Sequence, residues 1–414
     1  MKDLSEILNK QMTEEQYLEY KRASLSAIFD KKIAEVTCLK DNDEIREAII
    51  ASAEQYMQNL FVLPGTGGKP YFVGNPPKWD VLPFADEEYL YSLNRLYEIP
   101  SLCKAYHLTG DEKYAKKALS DIDSWIQTCA RPSLDGDAAY LFDTFQGITP
   151  WRLLECGIRM FESWNDAYKY LLSSPAMTPE LHARFVASLY EHAEVISLVS
   201  PIAWPDAAHN HYLHEMMGLL IVGCRYPELK RAAEWRDMAV REIFRAIRAQ
   251  IMPDGAQVEG CANYHDICLD MIAKCMDVMA EYEIDVPLEM RELIERAYEY
   301  SVWTFTPAGH ITSIGDSYMI PKYIPSLVDG HYKSYGNVGE YEKILPLVDR
   351  LACVGTPDSE FERASASYGT HTGGVRHYRS VGQIFGRTGW TKEDGILFSV
   401  VILPCLTDIH SRTL

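Results

Sequence analysis

The sequence predicts a mainly α fold, an incomplete (α/α) toroid of helical hairpins followed by the first strands of an antiparallel β-sandwich. Three observations predict it. From about Asp86 to Tyr323 apolar residues recur at helical spacing between turn signals, with little strand patterning. Paired helices in such number suit a toroid or solenoid better than a compact bundle. After about residue 364 the texture changes to short runs of strand character. No strict repeat is visible, so the toroid reading rests on spacing and on a resemblance described below.

Residues 1–84 read as N-terminal helices and a loop. Glu14 to Phe29 and Glu44 to Phe61 carry apolar residues at helical spacing, and residues 62–85 are rich in Gly and Pro. Residues 85–364 form the predicted toroid. At its first hairpin Gly110 can end one helix and Asp111 can cap the next, Lys113 to Ile126. Further helices are expected at 151–172, 178–197, 209–224, 227–251, 264–283 and 287–304. Ser200-Pro201, Tyr226-Pro227 and Pro253-Asp254-Gly255 supply turns between them. Residues 365–414 open with a linker, Ser365 to Gly374. Strands follow at Gly382 to Thr388 and Ile396 to Leu403, with a turn from Trp390 to Gly395. Two or three strands are too few for a stable sandwich, so the reading here is a truncated β domain.

Composition excludes several classes. The 414 residues are 47% hydrophobic and 24% charged, ordinary for a folded domain. A net charge of −19 offers no basic face for phosphates, which argues against nucleic acid. An anionic substrate would need a local cluster of Arg, His and amides to overcome this field. The first thirty residues show no secretory signal, and no segment reaches the ~18 apolar residues of a membrane span, so a cytoplasmic protein without a membrane partner is expected. The ten cysteines form no CxxC pair. Cys261, Cys268 and Cys275 recur every seven residues and read as small buried hydrophobes.

The polar residues that stand out lie at two helix starts. Asn210-His211-Tyr212-Leu213-His214-Glu215 precedes the apolar run Met216 to Cys224, so a polar first turn must open from a buried helix. His211 and Glu215 are one turn apart and can pair. The second cluster runs from Asp254-Gly255 through Gln257 and Glu259 to Tyr264-His265. An amide, imidazoles, carboxylates and a phenol at two helix mouths suit removal of a proton next to a carboxylate. Singly, each residue reads equally well as a cap or a satisfied core group; as a cluster they point to chemistry.

These stretches carry a family resemblance. Asn210-His211-x-x-x-Glu215 and Asp254-Gly255-x-x-x-Glu259 before Tyr264-His265 resemble paired signatures of the heparinase II/III and oligo-alginate lyase group of polysaccharide lyases. Leu93-Asn94-Arg95 with Ala105-Tyr106-x-x-Thr109-Gly110-Asp111, Trp151-x-x-x-Glu155-x-Gly157-Ile158-Arg159, Pro307-x-Gly309-x-x-x-x-Ile314-Gly315-Asp316-Ser317 and Arg387-Thr388-Gly389-Trp390 agree with it. The resemblance spans roughly residues 85–414. It implies a toroid and a β-sandwich, and β-elimination of 4-linked uronic acids.

It further implies that Asn210 and His211 neutralise the uronate carboxylate, as an oxyanion site does. Tyr264 would protonate the leaving oxygen and, in some members, take the C5 proton. An ordinary phenol has a pKa near 10, so the latter requires nearby positive charge. Asn94, Arg95 and Arg159 are assigned to substrate carboxylates, since Arg suits bidentate recognition. Glu215, Gln257, Glu259 and His265 join the expected substrate contacts. A His of the β-sandwich, in some members with zinc beside it, corresponds to His410, but the second His position holds Arg412. No metal is therefore assigned to this chain, a divalent ion is expected only in a complete β-sandwich, and weak or absent activity is expected of the chain alone.

Two other readings stand beside this one. A toroid glycoside hydrolase acting on uronate oligosaccharides would use two facing carboxylic acids, drawn from Glu215, Glu259 and Asp316. A non-catalytic fragment binding acidic carbohydrate would stack sugars on tryptophans such as Trp151, Trp204 and Trp303. Acidic oligo- or polysaccharide is the expected partner in all three. The particular uronate and the oligomeric state are not legible.

Overall fold

Two compact units divide the chain in the computed structural model: residues 1–205 with 214–240, and residues 206–213 with 241 onward. The structure describes residues 2–34, 43–304, 311–315, 317, 374–388 and 395–400.

The first unit is helical. α1 (Leu4–Ile7), α2 (Glu14–Ala34) and α3 (Asp43–Met57) precede a short antiparallel pair, β1 (Leu60–Phe61) and β2 (Tyr71–Phe72), with Leu60 opposite Phe72. The helix predicted to reach Phe61 stops at Met57, because Asn59 takes φ 55° and turns the chain into β1. α4 (Glu88–Asn94) and α5 (Glu98–Thr109) follow, then α6 (Glu112–Thr128). Gly110 adopts φ 69° at the end of α5, and the Asp111 carboxylate accepts the Lys113 backbone N–H at 3.0 Å, which are the predicted stop and start. α6 buries Tyr114, Ala115, Ala118, Leu119, Ile122 and Trp125, a single apolar stripe.

α7 (Ala138–Gln146), capped by Asp137, is a helix the sequence reading did not anticipate. The helix expected at 151–172 runs without a break from Leu153 to Leu171, as α8 (Leu153–Ile158), an internal π-helical turn (Arg159–Ser163) and α9 (Trp164–Leu171). α10 (Pro179–Ala203) starts at its Thr178 cap and runs through the predicted Ser200-Pro201 break. Pro201 lies in the last turn, and buried Val195, Ile196, Val199 and Ala203 keep that stretch packed. α11 (Asn210–Arg225) and α12 (Ala232–Gln250) each contribute residues to both units. Trp125, Trp151, Trp164 and His192 form an aromatic centre for the first unit, with ring centroids 4.4 to 5.5 Å apart.

In the second unit α13 (Ala262–Glu281) and α14 (Leu288–Trp303) are followed by a three-stranded antiparallel sheet in the order β3 (Gly374–Tyr378), β4 (Gln383–Arg387), β5 (Ile396–Val400). β4 and β5 occupy predicted positions, and Phe385 pairs with Phe398. β3 begins at the last residue of the predicted linker, and its polar Arg376 and His377 give little strand signal. Ala256, Tyr300, Ile314, Tyr378, Val381 and Phe385 share one core. Between α12 and α13 a tight hairpin spans 250–260. Its Gly255 has φ 95°, and a Cβ there would lie 2.1 Å from the Arg296 carbonyl oxygen, so only glycine fits. Among the described residues no helix is long and apolar enough to cross a membrane.

Candidate active site

Gln250, fully buried at the end of α12, organises the polar region of the second unit. Its amide nitrogen donates to the carbonyls of Ala207 at 3.0 Å and His209 at 2.9 Å, which shapes the turn entering α11. Its amide oxygen accepts from the Cys268 thiol of α13 at 3.6 Å. One side chain thus ties the turn entering α11 to α13. Tyr264 stands four residues before Cys268, on the same face of α13, and is half-buried.

Asn210 opens α11, and its amide nitrogen donates to Glu259 Oε1 at 3.2 Å. Gln257 donates to the same oxygen at 2.9 Å, while the Glu259 backbone N–H donates to Gln257 Oε1 at 2.8 Å. His211 lies beside His209, with ring centroids 4.3 Å apart, and its backbone N–H donates to His209 Nδ1. The hairpin that carries Gln257 and Glu259 is braced from the sheet. Gln383 of β4 donates to the Gly260 carbonyl at 2.7 Å and accepts from the Tyr300 hydroxyl at 2.6 Å. The Ser380 N–H donates to Asp254 at 3.0 Å. Asn210, His211, Gln257, Glu259 and Tyr264 are therefore all presented by two helix starts and one hairpin of the second unit.

The remaining predicted contacts are placed otherwise. Asn94 is fully buried: its amide nitrogen donates to Trp79 and Leu90 carbonyls, and its oxygen accepts from the Trp125 indole at 2.7 Å. Arg159 is fully buried as well. It donates to His192 Nε2 at 3.0 Å, the Asn94 carbonyl at 2.7 Å and the Cys156 sulfur, with its guanidinium 4.1 Å from the Trp125 ring centre. Burial holds the His192 imidazole well below its ordinary pKa, so it stays neutral and can accept. These bonds correct the assignment of Asn94 and Arg159 to substrate carboxylates, because every polar end is engaged inside the hairpins. Arg95 keeps partial exposure, with its guanidinium on the fully buried Glu155 at 2.9 Å, which Arg152 also contacts.

Glu215 is a further correction. Its carboxylate is fully buried and accepts the Trp204 indole N–H at 3.1 Å, so it does not face a sugar. Burial raises its pKa to about 8. His265 is likewise fully buried, its ring donating to the Ala297 carbonyl at 2.9 Å. Trp151 is core rather than a sugar platform. His410, Asp316, Arg412 and the Pro307-x-Gly309 stretch lie outside the described residues. Among the described residues, no three His, Cys, Asp or Glu side chains gather as metal ligands do.

Sequence reasoning passed over Gln250 and Gln383. Each is a buried amide followed directly by an isoleucine, and such an amide must find partners.

Helical hairpins leading into antiparallel strands, with amide, imidazole and phenol side chains at two helix starts, place the chain among mainly α proteins built of helical hairpins. Within that class, the chain belongs to the family described as Heparinase II/III N-terminus, which it matches over residues 2–339. It is 28% identical over 278 residues to the heparin-sulfate lyase of Bacteroides stercoris, covering 64% of this chain and 40% of that protein. To the heparin-sulfate lyase of Pedobacter heparinus it is 25% identical over 258 residues, 62% of this chain and 37% of that one. The chain thus matches less than half the length of these relatives. A crystal structure of heparinase III shares the fold with a TM-score of 0.70 at 19% identity, over 94% of this chain and 57% of that one.

Proposed function

We propose that the protein cleaves 4-linked uronic-acid-containing polysaccharides by β-elimination, with heparan-type glycosaminoglycan the first substrate to test. The observation that carries this reading is that Gln250 ties the turn just before Asn210 and His211 to Cys268, one helical turn beyond Tyr264 on α13. A C5 proton is weakly acidic because its loss places charge on the adjacent carboxylate. Amide and imidazole N–H groups directed at that carboxylate stabilise the developing charge. Asn210 and His211 are the residues for this task. Tyr264 then transfers the proton, taking it from C5 or delivering it to the leaving glycosidic oxygen. The relatives' names, heparin-sulfate lyase, support both the reaction and the substrate class.

The hydrolytic alternative needs two carboxylic acids facing each other across the bond. Glu215, sealed under Trp204, cannot be one of them. The test is to incubate the protein with a panel of uronate polymers, heparan sulfate first, in isotopically labelled water. The expected product carries a new C4–C5 double bond, detected by its ultraviolet absorbance, and no label. A saturated, labelled product would replace elimination by hydrolysis, and saturable binding without any product would favour a carbohydrate-binding role.

A further inference from the structure

The three-atom arrangement at Glu259 is that of a bound carboxylate. One oxygen of an exposed Glu259 accepts two amide N–H groups, from Asn210 at 3.2 Å and from Gln257 at 2.9 Å. The two hosts are fixed far better than the guest. Gln257 is fully buried, and its amide is oriented by the Glu259 backbone N–H, which donates to its oxygen at 2.8 Å. The hairpin beneath it is pinned by the Val258 N–H on the Gln250 carbonyl at 2.8 Å and the Gly260 N–H on the Gln257 carbonyl at 2.9 Å. Asn210 is seated at the start of a helix. Glu259, by contrast, hangs on a flexible side chain at the surface and can rotate away without disturbing this frame.

We propose that Asn210 and Gln257 form a receptor for the uronate carboxylate, and that Glu259 is an internal stand-in that the substrate displaces. The inference rests on the lyase reading for the identity of the incoming sugar. It adds Gln257 as the second amide of the carboxylate subsite and makes Glu259 a determinant of selectivity. A neutral hexose has no group able to compete for the two amides, so it leaves Glu259 in place. An acidic sugar exchanges one carboxylate for another at little net loss of hydrogen bonds. Its apparent affinity is reduced by the fraction of time the stand-in occupies the receptor.

The test is calorimetric binding of a heparan-type tetrasaccharide, and of the same tetrasaccharide with its carboxyls reduced to alcohols, to the full chain and its variants. Removing the competitor in Glu259→Ala should tighten binding of the acidic sugar about three- to tenfold and leave the reduced sugar unchanged. Glu259→Gln, which keeps the size but weakens the contact, should show a smaller gain in the same direction. Gln257→Leu combined with Glu259→Ala should lose the gain. Unchanged or weaker binding of the acidic sugar by both Glu259 variants overturns the stand-in, and would mark Glu259 as a direct substrate contact or a structural group. Failure of the lyase reading is separately visible: binding would still tighten in Glu259→Ala while no unsaturated product forms.

Discussion

Two regions of this molecule each hold an asparagine and a histidine among their polar residues and put them to opposite uses. Around Arg159 in the first unit, an asparagine, an arginine, a histidine and a cysteine are buried, and their polar groups engage one another, indole N–H groups and backbone carbonyls. Around Asn210 in the second unit, an asparagine, a histidine and a tyrosine at two helix starts and a glutamate on the 250–260 hairpin have partial or full exposure. The comparison teaches that residue type is a poor guide to role. What separates the regions is position along the helix. Asn94 closes α4 and Arg159 opens the π turn, and both side chains are fully buried, where a polar group must be satisfied internally. Asn210 and Tyr264 occupy first turns next to surface-facing connections, where backbone N–H groups and side chains remain within reach of a ligand.

The sharpest way to break this comparison is at Tyr264. Tyr264→Phe should lower turnover by about two to four decades if the phenol transfers the proton, with the melting temperature nearly unchanged. Steady-state kinetics on heparan sulfate would read this, and near-normal turnover would remove Tyr264 from the chemistry. Asn210→Ala should cost about two to three decades in kcat, as loss of an oxyanion donor does, again without loss of fold. The opposite pattern is expected across the divide. Asn94→Ala leaves the Trp125 indole and two carbonyls without their partner, and should destabilise the protein by about 3 kcal/mol or more in chemical denaturation. Turnover per folded molecule should change little; a selective rise in KM would return Asn94 to the substrate site.

A smaller effect sharpens the burial argument. Glu215 has its pKa raised from 4.5 to about 8 by burial, and the folded state therefore holds a proton that the unfolded state releases. Its contribution is fully present below about 4.5 and is lost as pH rises toward 8. The slope is at most about 1.4 kcal/mol per pH unit. Glu98, raised to about 8 by burial and by Asp121, acts in the same direction. Stability should fall from pH 5 to pH 8, and Glu215→Gln should flatten part of that fall. An unaltered slope in this variant would show that Glu215 is ionised in the fold.

Much of the fold was legible before any coordinates. The α5–α6 junction followed from Gly110 and Asp111 alone, and β4 and β5 from their composition. Misreadings arose where packing outweighed local signal. Pro201 looked like a stop, yet the buried face of α10 carries the helix past it. Residues 151–172 read correctly as one helix, but its sequence does not announce the π turn inside it at Arg159, the residue whose guanidinium reaches Asn94, His192 and Cys156 together. The described candidate site divides the same way. Asn210, His211, Gln257, Glu259 and Tyr264 announced themselves as polar residues at the mouths of apolar helices, but nothing local distinguished Arg159 or His265 from them.

By itself the amino-acid order determined the helical class, the hairpin junctions, the late switch to strands and the two polar helix starts. These depend on periodicity, capping and turn chemistry within a few residues of each other. Only the tertiary structure decided which polar groups are spent on the interior, that Gln250 joins the turn entering α11 to α13, and that Glu259 occupies the amides of Asn210 and Gln257. Those outcomes depend on partners tens of residues away, and whether a hydrogen-bonding group is satisfied inside or left for a ligand is settled by such partners, not by its neighbours in the chain.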